Sequence, residues 1–102
     1  LMIIFVDIDE TICKTPENRD YSKSVPIQKN IDKINKLYDA GDTIVYWTAR
    51  GSGSGKNWYD LTGQQLKEWG AKHHDYKVGK PMYDLFICDK AINSEKFFNE
   101  EA

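Results

Sequence analysis

Three apolar runs, each breaking off abruptly into polar residues, constrain this chain more than any other feature. Residues 2–6, MIIFV, are continuously apolar and partly β-branched, which suits a strand covered on both faces in a parallel sheet. Residues 43–47, TIVYW, read as a second buried strand from their β-branched and aromatic content. Residues 85–88, LFIC, read as another. Between the first two, Ile27, Ile31, Ile34, Leu37 and Tyr38 recur at three- and four-residue steps and predict a helix over 27–40, stopped by Gly41. Trp58, Leu61, Leu66 and Trp69 predict a second helix over 57–69, stopped by Gly70. Residues 91–100 predict a short third helix with Ile92, Phe97 and Phe98 inward and Ser94 as its cap. Strand, helix, strand, helix, strand, helix is the order of an α/β fold, a parallel sheet with helices on both faces.

With 102 residues the chain has room for a single domain, 1–102. Fourteen basic against sixteen acidic residues leave a net charge of -2, so nothing global draws it to nucleic acid or to an anionic membrane. The apolar run at the start is far shorter than the ~20 residues that cross a bilayer, so no membrane partner is expected. Cys13 and Cys88 are far apart in sequence and no signal-peptide pattern precedes them, which leads to the expectation of a reduced, cytoplasmic protein with two small buried thiols.

In parallel α/β sheets ligands sit beyond the carboxyl ends of the strands. Asp7-Ile8-Asp9-Glu10-Thr11 follows the first strand, Thr48-Ala49-Arg50 the second and Asp89-Lys90 the last, with Lys80 in the loop before it. Carboxylates concentrated at one strand end repel each other unless a cation or protons intervene, and Mg²⁺ is held by one or two carboxylates together with phosphate oxygens and waters. Asp7, Asp89 and a backbone carbonyl near Asp9 would form such an incomplete set. One carboxylate could then attack phosphorus and the second move protons. The Thr48 hydroxyl and nearby amides would hold the phosphoryl oxygens. Gly51–Asn57, GSGSGKN, has the look of a phosphate loop but fails its spacing at both ends, because Arg50 stands where the first glycine belongs and Asn57 follows Lys56. It reads instead as a short flexible connection.

The ordered set DIDET, TAR, GKP and YDLFICDKA resembles the four motifs of the haloacid dehalogenase superfamily, over about residues 2–93. GKP followed by YDLFICDKAI is most similar to small phosphatase-like members associated with capsular or lipopolysaccharide sugar biosynthesis. The resemblance implies a three-layer Rossmann-like domain and a Mg²⁺-dependent phosphomonoester hydrolase working through an aspartyl-phosphate. It makes Asp7 the nucleophile and a metal ligand, and Asp9 the general acid and base with its carbonyl on the metal. Thr11 would brace the turn, Thr48, Ala49 and Arg50 would bind substrate, although Arg50 could equally pair with a surface acid, Lys80 rather than Lys77 would neutralise the phosphoryl charge, and Asp89 would hold Mg²⁺. The intervals where relatives insert a cap hold only residues 12–26 and 51–56, which implies a capless protein. Its expected partners are a small phosphorylated substrate, a sugar phosphate first, or a phosphorylated macromolecule, with assembly into a homo-oligomer left open. A flap built by residues 14–25 could help to shield the site.

The chain departs from the pattern at Cys88-Asp89, where related sequences commonly carry two adjacent acids. That keeps a second class open, a binding protein that retained the fold and lost turnover. Receiver-like phosphoacceptor signalling is a third, weakened because no aspartate follows TIVYW. His73-His74 lack the further ligands a structural zinc needs and read as surface histidines, while Trp47, Trp58, Trp69, Phe97 and Phe98 read as core.

Overall fold

The structure, a computed structural model, describes residues 1–99. A parallel sheet is formed by β1 (Ile3–Val6), β4 (Thr43–Trp47) and β5 (Asp75–Lys77), with β4 in the middle. Between β1 and β4 lie a two-stranded antiparallel hairpin, β2 (Cys13–Lys14) with β3 (Val25–Pro26), and helix α1 (Gln28–Asp39). Helix α2 (Tyr59–Glu68) connects β4 to β5, and α3 (Ser94–Asn99) closes the described chain. Gly41 at φ 105° and Gly70 at φ 68° follow the ends of α1 and α2, in the left-handed region that glycine enters without a Cβ penalty.

Register explains which side chains meet. Ile4 lies beside Ile44 and Val6 beside Tyr46, so these four share a face. Onto it α1 brings Ile31 and Ile34 and α2 brings Leu66, making one core with Ile8, Ile12, Cys13 and Ala71. Phe97 and Phe98 of α3 and Trp69 pack on the same cluster. On the opposite face Ile3 is 73% and Phe5 53% exposed, and Trp47 stands edge-on to Phe5 at 5.8 Å. The expected helices on both faces are therefore corrected for the described residues, because both long helices spend their apolar stripes on the same side. Trp47 likewise lies outside the core cluster.

Residues 85–88 depart furthest from expectation. They lie outside any strand, with Leu85 75%, Phe86 53% and Ile87 89% exposed. A run of four apolar residues has strand-like composition whether or not a neighbour offers it a hydrogen-bonding ladder, and among the described residues none pairs with it. Cys88 is exposed rather than buried. The third helix starts at Ser94, and its cap is Asn93, whose Oδ1 accepts from the Glu95 N–H at 2.9 Å; the expected end at Glu100 lies outside the described residues.

Candidate active site

Asp7 leaves the carboxyl end of β1 with its side chain 44% exposed, and Lys80 Nζ stands 3.7 Å from its Oδ1. Lys80 is brought there by backbone, since its N–H donates to Thr48 O at 3.1 Å and its carbonyl accepts from Ser52 Oγ at 2.7 Å. Its ammonium lies 5.7 Å from the centre of the Trp47 ring and 5.5 Å from that of Tyr83, within cation–π range. Lys77 instead pairs with Asp75 at 3.8 Å. An open cavity of about 470 Å³ joins Asp7, Lys80 and Ala49 to Pro81, Met82, Tyr83 and Asp84.

Burial in this corner raises the Asp7 carboxyl above the usual aspartate range and the neighbouring Asp9 charge adds to it, although the Lys80 charge and the Ile8 N–H pull it back. Asp9 behaves differently. Burial pushes it up as well, but hydrogen bonds and charge from Arg50, with further bonds from Thr15 and Cys13, leave it below the usual range.

The partner responsible is buried. Arg50 has no exposed side-chain surface, and its Nε and Nη2 fork onto Asp9 at 3.0 and 2.9 Å. Nη1 donates to Thr62 Oγ1 at 3.1 Å and to Gln65 Oε1 at 2.6 Å, and Nη2 also reaches Ser24 Oγ at 3.4 Å. The Tyr21 ring covers the guanidinium at 4.8 Å, with Trp58 edge-on behind it. Of the two roles open to Arg50, gripping substrate or pairing with an acid, the structure shows an acid pair, made with the inner Asp9 rather than with a surface group. Arg50 faces inward, with all three nitrogens engaged, because a buried guanidinium must satisfy its donors within the protein.

The hairpin segment 14–26 is folded onto the same group. Thr15 Oγ1 donates to Asp9 Oδ1 at 2.5 Å and shares a hydrogen bond with Ser24 Oγ at 2.7 Å. Cys13, wholly buried, points its thiol at Asp9, and burial beside that carboxylate pushes the thiol up to about 11. Thr11 lies in the turn after β1, its N–H donating to Ile8 O and its carbonyl accepting from Asn30 Nδ2 at 2.8 Å.

Thr48 is 1% exposed, its Oγ1 accepting from the Arg50 N–H, so it underlies the cavity rather than lining it. Asp89 is exposed, its nearest described partner being the Cys88 thiol at 3.8 Å. Among the described residues no three His, Cys, Asp or Glu side chains gather into a metal-holding group. The expected set, the Asp7 and Asp89 carboxylates with the Asp9 backbone carbonyl, does not come together for Mg²⁺ in this arrangement, because the exposed Asp89 joins no group with Asp7 and Asp9. His73 and His74 bind no such group; His74 Nδ1 accepts from the Ile44 N–H and its ring lies on Tyr38.

Sequence reading missed Ser52, Thr15, Ser24, Thr62 and Gln65. The signal for the last two was present, since both are polar residues beside Leu66 on the buried side of α2. The loop expected to be flexible is tied down: Ser52 N–H donates to Ala49 O, Gly55 N–H to Gly51 O, and Gly51 at φ 84° has no room for a Cβ, which would meet Lys56 O at 2.2 Å.

No family model matches the chain, and no curated protein matches it. The fold itself recurs. A crystal structure of a structural-genomics target from Vibrio cholerae superposes with a TM-score of 0.84 at 20% identity, covering 99% of this chain and 90% of that one. At that identity the likeness speaks for the α/β fold alone. Among the described residues no helix is long and apolar enough to cross a membrane.

Proposed function

We propose that this chain is a phosphomonoester hydrolase of the haloacid dehalogenase type that works through an aspartyl-phosphate. The observation that carries the reading is the pairing of a partly exposed Asp7 at the end of β1 with Lys80 from a separate loop, at the floor of an open cavity. An Asp7 oxygen attacks phosphorus of the monoanionic ester, the ester P–O bond breaks, and the leaving oxygen takes the phosphate group's own proton to depart as the alcohol. Water then cleaves the acyl phosphate and regenerates the carboxylate. Lys80 neutralises charge on the phosphoryl oxygens. Asp9, held as a carboxylate by Arg50, is suited to take the proton from that water. The motif order also implies Mg²⁺; because Asp89 does not join Asp7 and Asp9 in one group, no step here is routed through it. The short intervals after the first two motifs support a capless site, open to a sugar phosphate or a larger phosphorylated partner and to shielding by a second copy.

The test is phosphate release from a generic aryl phosphate, with Mg²⁺ and with chelator, by native protein and by Asp7→Asn. Equal rates in all four would sink the proposal. A second reading, binding of a phosphate ester without turnover, is favoured by one observation: both Asp9 oxygens are already occupied by Arg50, and Oδ1 by Thr15 as well. Measurable phosphate-ester binding with no turnover across a broad panel would decide for it.

A further inference from the structure

The cavity above Asp7 and Lys80 has a side that phosphate chemistry does not use. Beyond those two residues it is lined by Ala49, Pro81, Met82 and Tyr83, with Asp84 as the remaining charged side chain. The wall is braced on both flanks. Met82 lies against the loop after β4, where a Cβ at Gly53 would come within 2.7 Å of its sulfur, and Tyr83 packs on Phe86 at 5.4 Å. Lys80 is held under Tyr83, which ties the apolar wall to the group that would meet the phosphoryl oxygens.

A sugar presents several hydroxyls, each of which loses water on entering such a space and needs a hydrogen-bonding partner in exchange. This wall offers Asp84 and the Tyr83 hydroxyl, and otherwise a thioether, the face of a phenol ring, a proline and a methyl group. A flat apolar group loses nothing there and gains contact with sulfur and ring. We propose that Met82 and Tyr83 determine specificity by seating an aromatic or similarly flat apolar leaving group, in preference to the sugar of a sugar phosphate. This rests on Asp7 and Lys80 being the phosphoryl end of the site.

Non-hydrolysable phosphonates test the wall without requiring turnover. Benzylphosphonate and 2,3-dihydroxypropylphosphonate carry the same anionic group on an apolar ring and on a polyol, and their binding is compared by calorimetry. Benzylphosphonate is expected to bind the native protein about tenfold tighter. Met82→Ala and Tyr83→Ala should each reduce that ratio, as should Gly53→Ala, which displaces Met82 while leaving both wall side chains present. Equal affinities, a preference for the polyol, no binding of either, or a ring preference that survives all three substitutions would overturn the proposal. Turnover of benzyl phosphate and glycerol 3-phosphate, both primary alkyl esters, is read separately. A ring preference in binding with no turnover of either ester would refute the hydrolase and leave the wall standing, whereas turnover without any ring preference would do the reverse.

Discussion

Arg50 and Asp9 form a buried, forked ion pair across 41 residues of sequence, with one guanidinium edge on the carboxylate and the other on α2. It joins the turn after β1, the end of β4, the hairpin and the second helix at one point. The arginine of TAR is thereby a positioning residue for Asp9.

Removing one partner of this pair strands the other charge in the interior. Arg50→Ala is expected to destabilise the fold by about 3–5 kcal/mol, measured by denaturant titration. Arg50→Lys keeps the charge but not the fork and should recover only part of the loss. A loss below about 0.5 kcal/mol for Arg50→Ala, the scale of an ordinary surface substitution, would contradict the pair's role as a junction.

The two aspartates should act oppositely on stability as pH changes. Asp9 is depressed in the folded state, so its contribution is fully present above the unfolded aspartate range and is lost as pH falls through the folded value. Asp7 is raised, so its ionisation costs stability once pH rises above the unfolded range. At neutral pH, Asp7→Asn should therefore melt at the same temperature as native protein or higher, while Asp9→Asn melts lower and loses less than native protein on acidification. The melting temperatures of both variants between pH 3 and 7 check this; a lower melting point for Asp7→Asn would count against it.

Lys80 carries the charge opposite Asp7, and Ser52 holds the Lys80 backbone. Lys80→Ala is expected to lower phosphatase turnover by about 10²–10³-fold, the scale for losing one stabilising donor. Ser52→Ala should lower it less, with recovery in Ser52→Thr, which retains the hydroxyl. If Lys77→Ala proves as damaging as Lys80→Ala, the assignment of the cation is wrong.

Gly63 tests packing against propensity. Alanine is favoured over glycine inside a helix by about 1 kcal/mol, yet a Cβ at Gly63 would stand 2.2 Å from the Tyr76 hydroxyl oxygen. Gly63→Ala should therefore destabilise by about 1–3 kcal/mol. In a Tyr76→Ala background the same substitution should become neutral or stabilising. Thermal melts of the two singles and the double supply the cycle.

Much of the sheet was legible in the sequence. β4 spans the residues expected of it, and the two long helices lie within a residue or two of the apolar periodicity that announced them, because strand and helix spacing are local properties of the chain. Asp7 at the end of β1 was legible for the same reason. Residues 85–88 were not, since four apolar residues look alike whether or not a neighbouring strand pairs with them.

The residues alone thus determined an alternating α/β chain with acids and a lysine at the strand ends, and they ruled out a P-loop by spacing. Tertiary structure decided where the charges point. It turned Arg50 away from the cavity and onto Asp9, kept Asp89 out of any metal-holding group among the described residues, set Lys80 rather than Lys77 beside Asp7, and put both long helices on one face. Each of these outcomes depends on which distant groups can satisfy a buried donor or cover an apolar face. Partners such as Thr62, Gln65 and Ser24 come within reach of Arg50 only once the chain has folded.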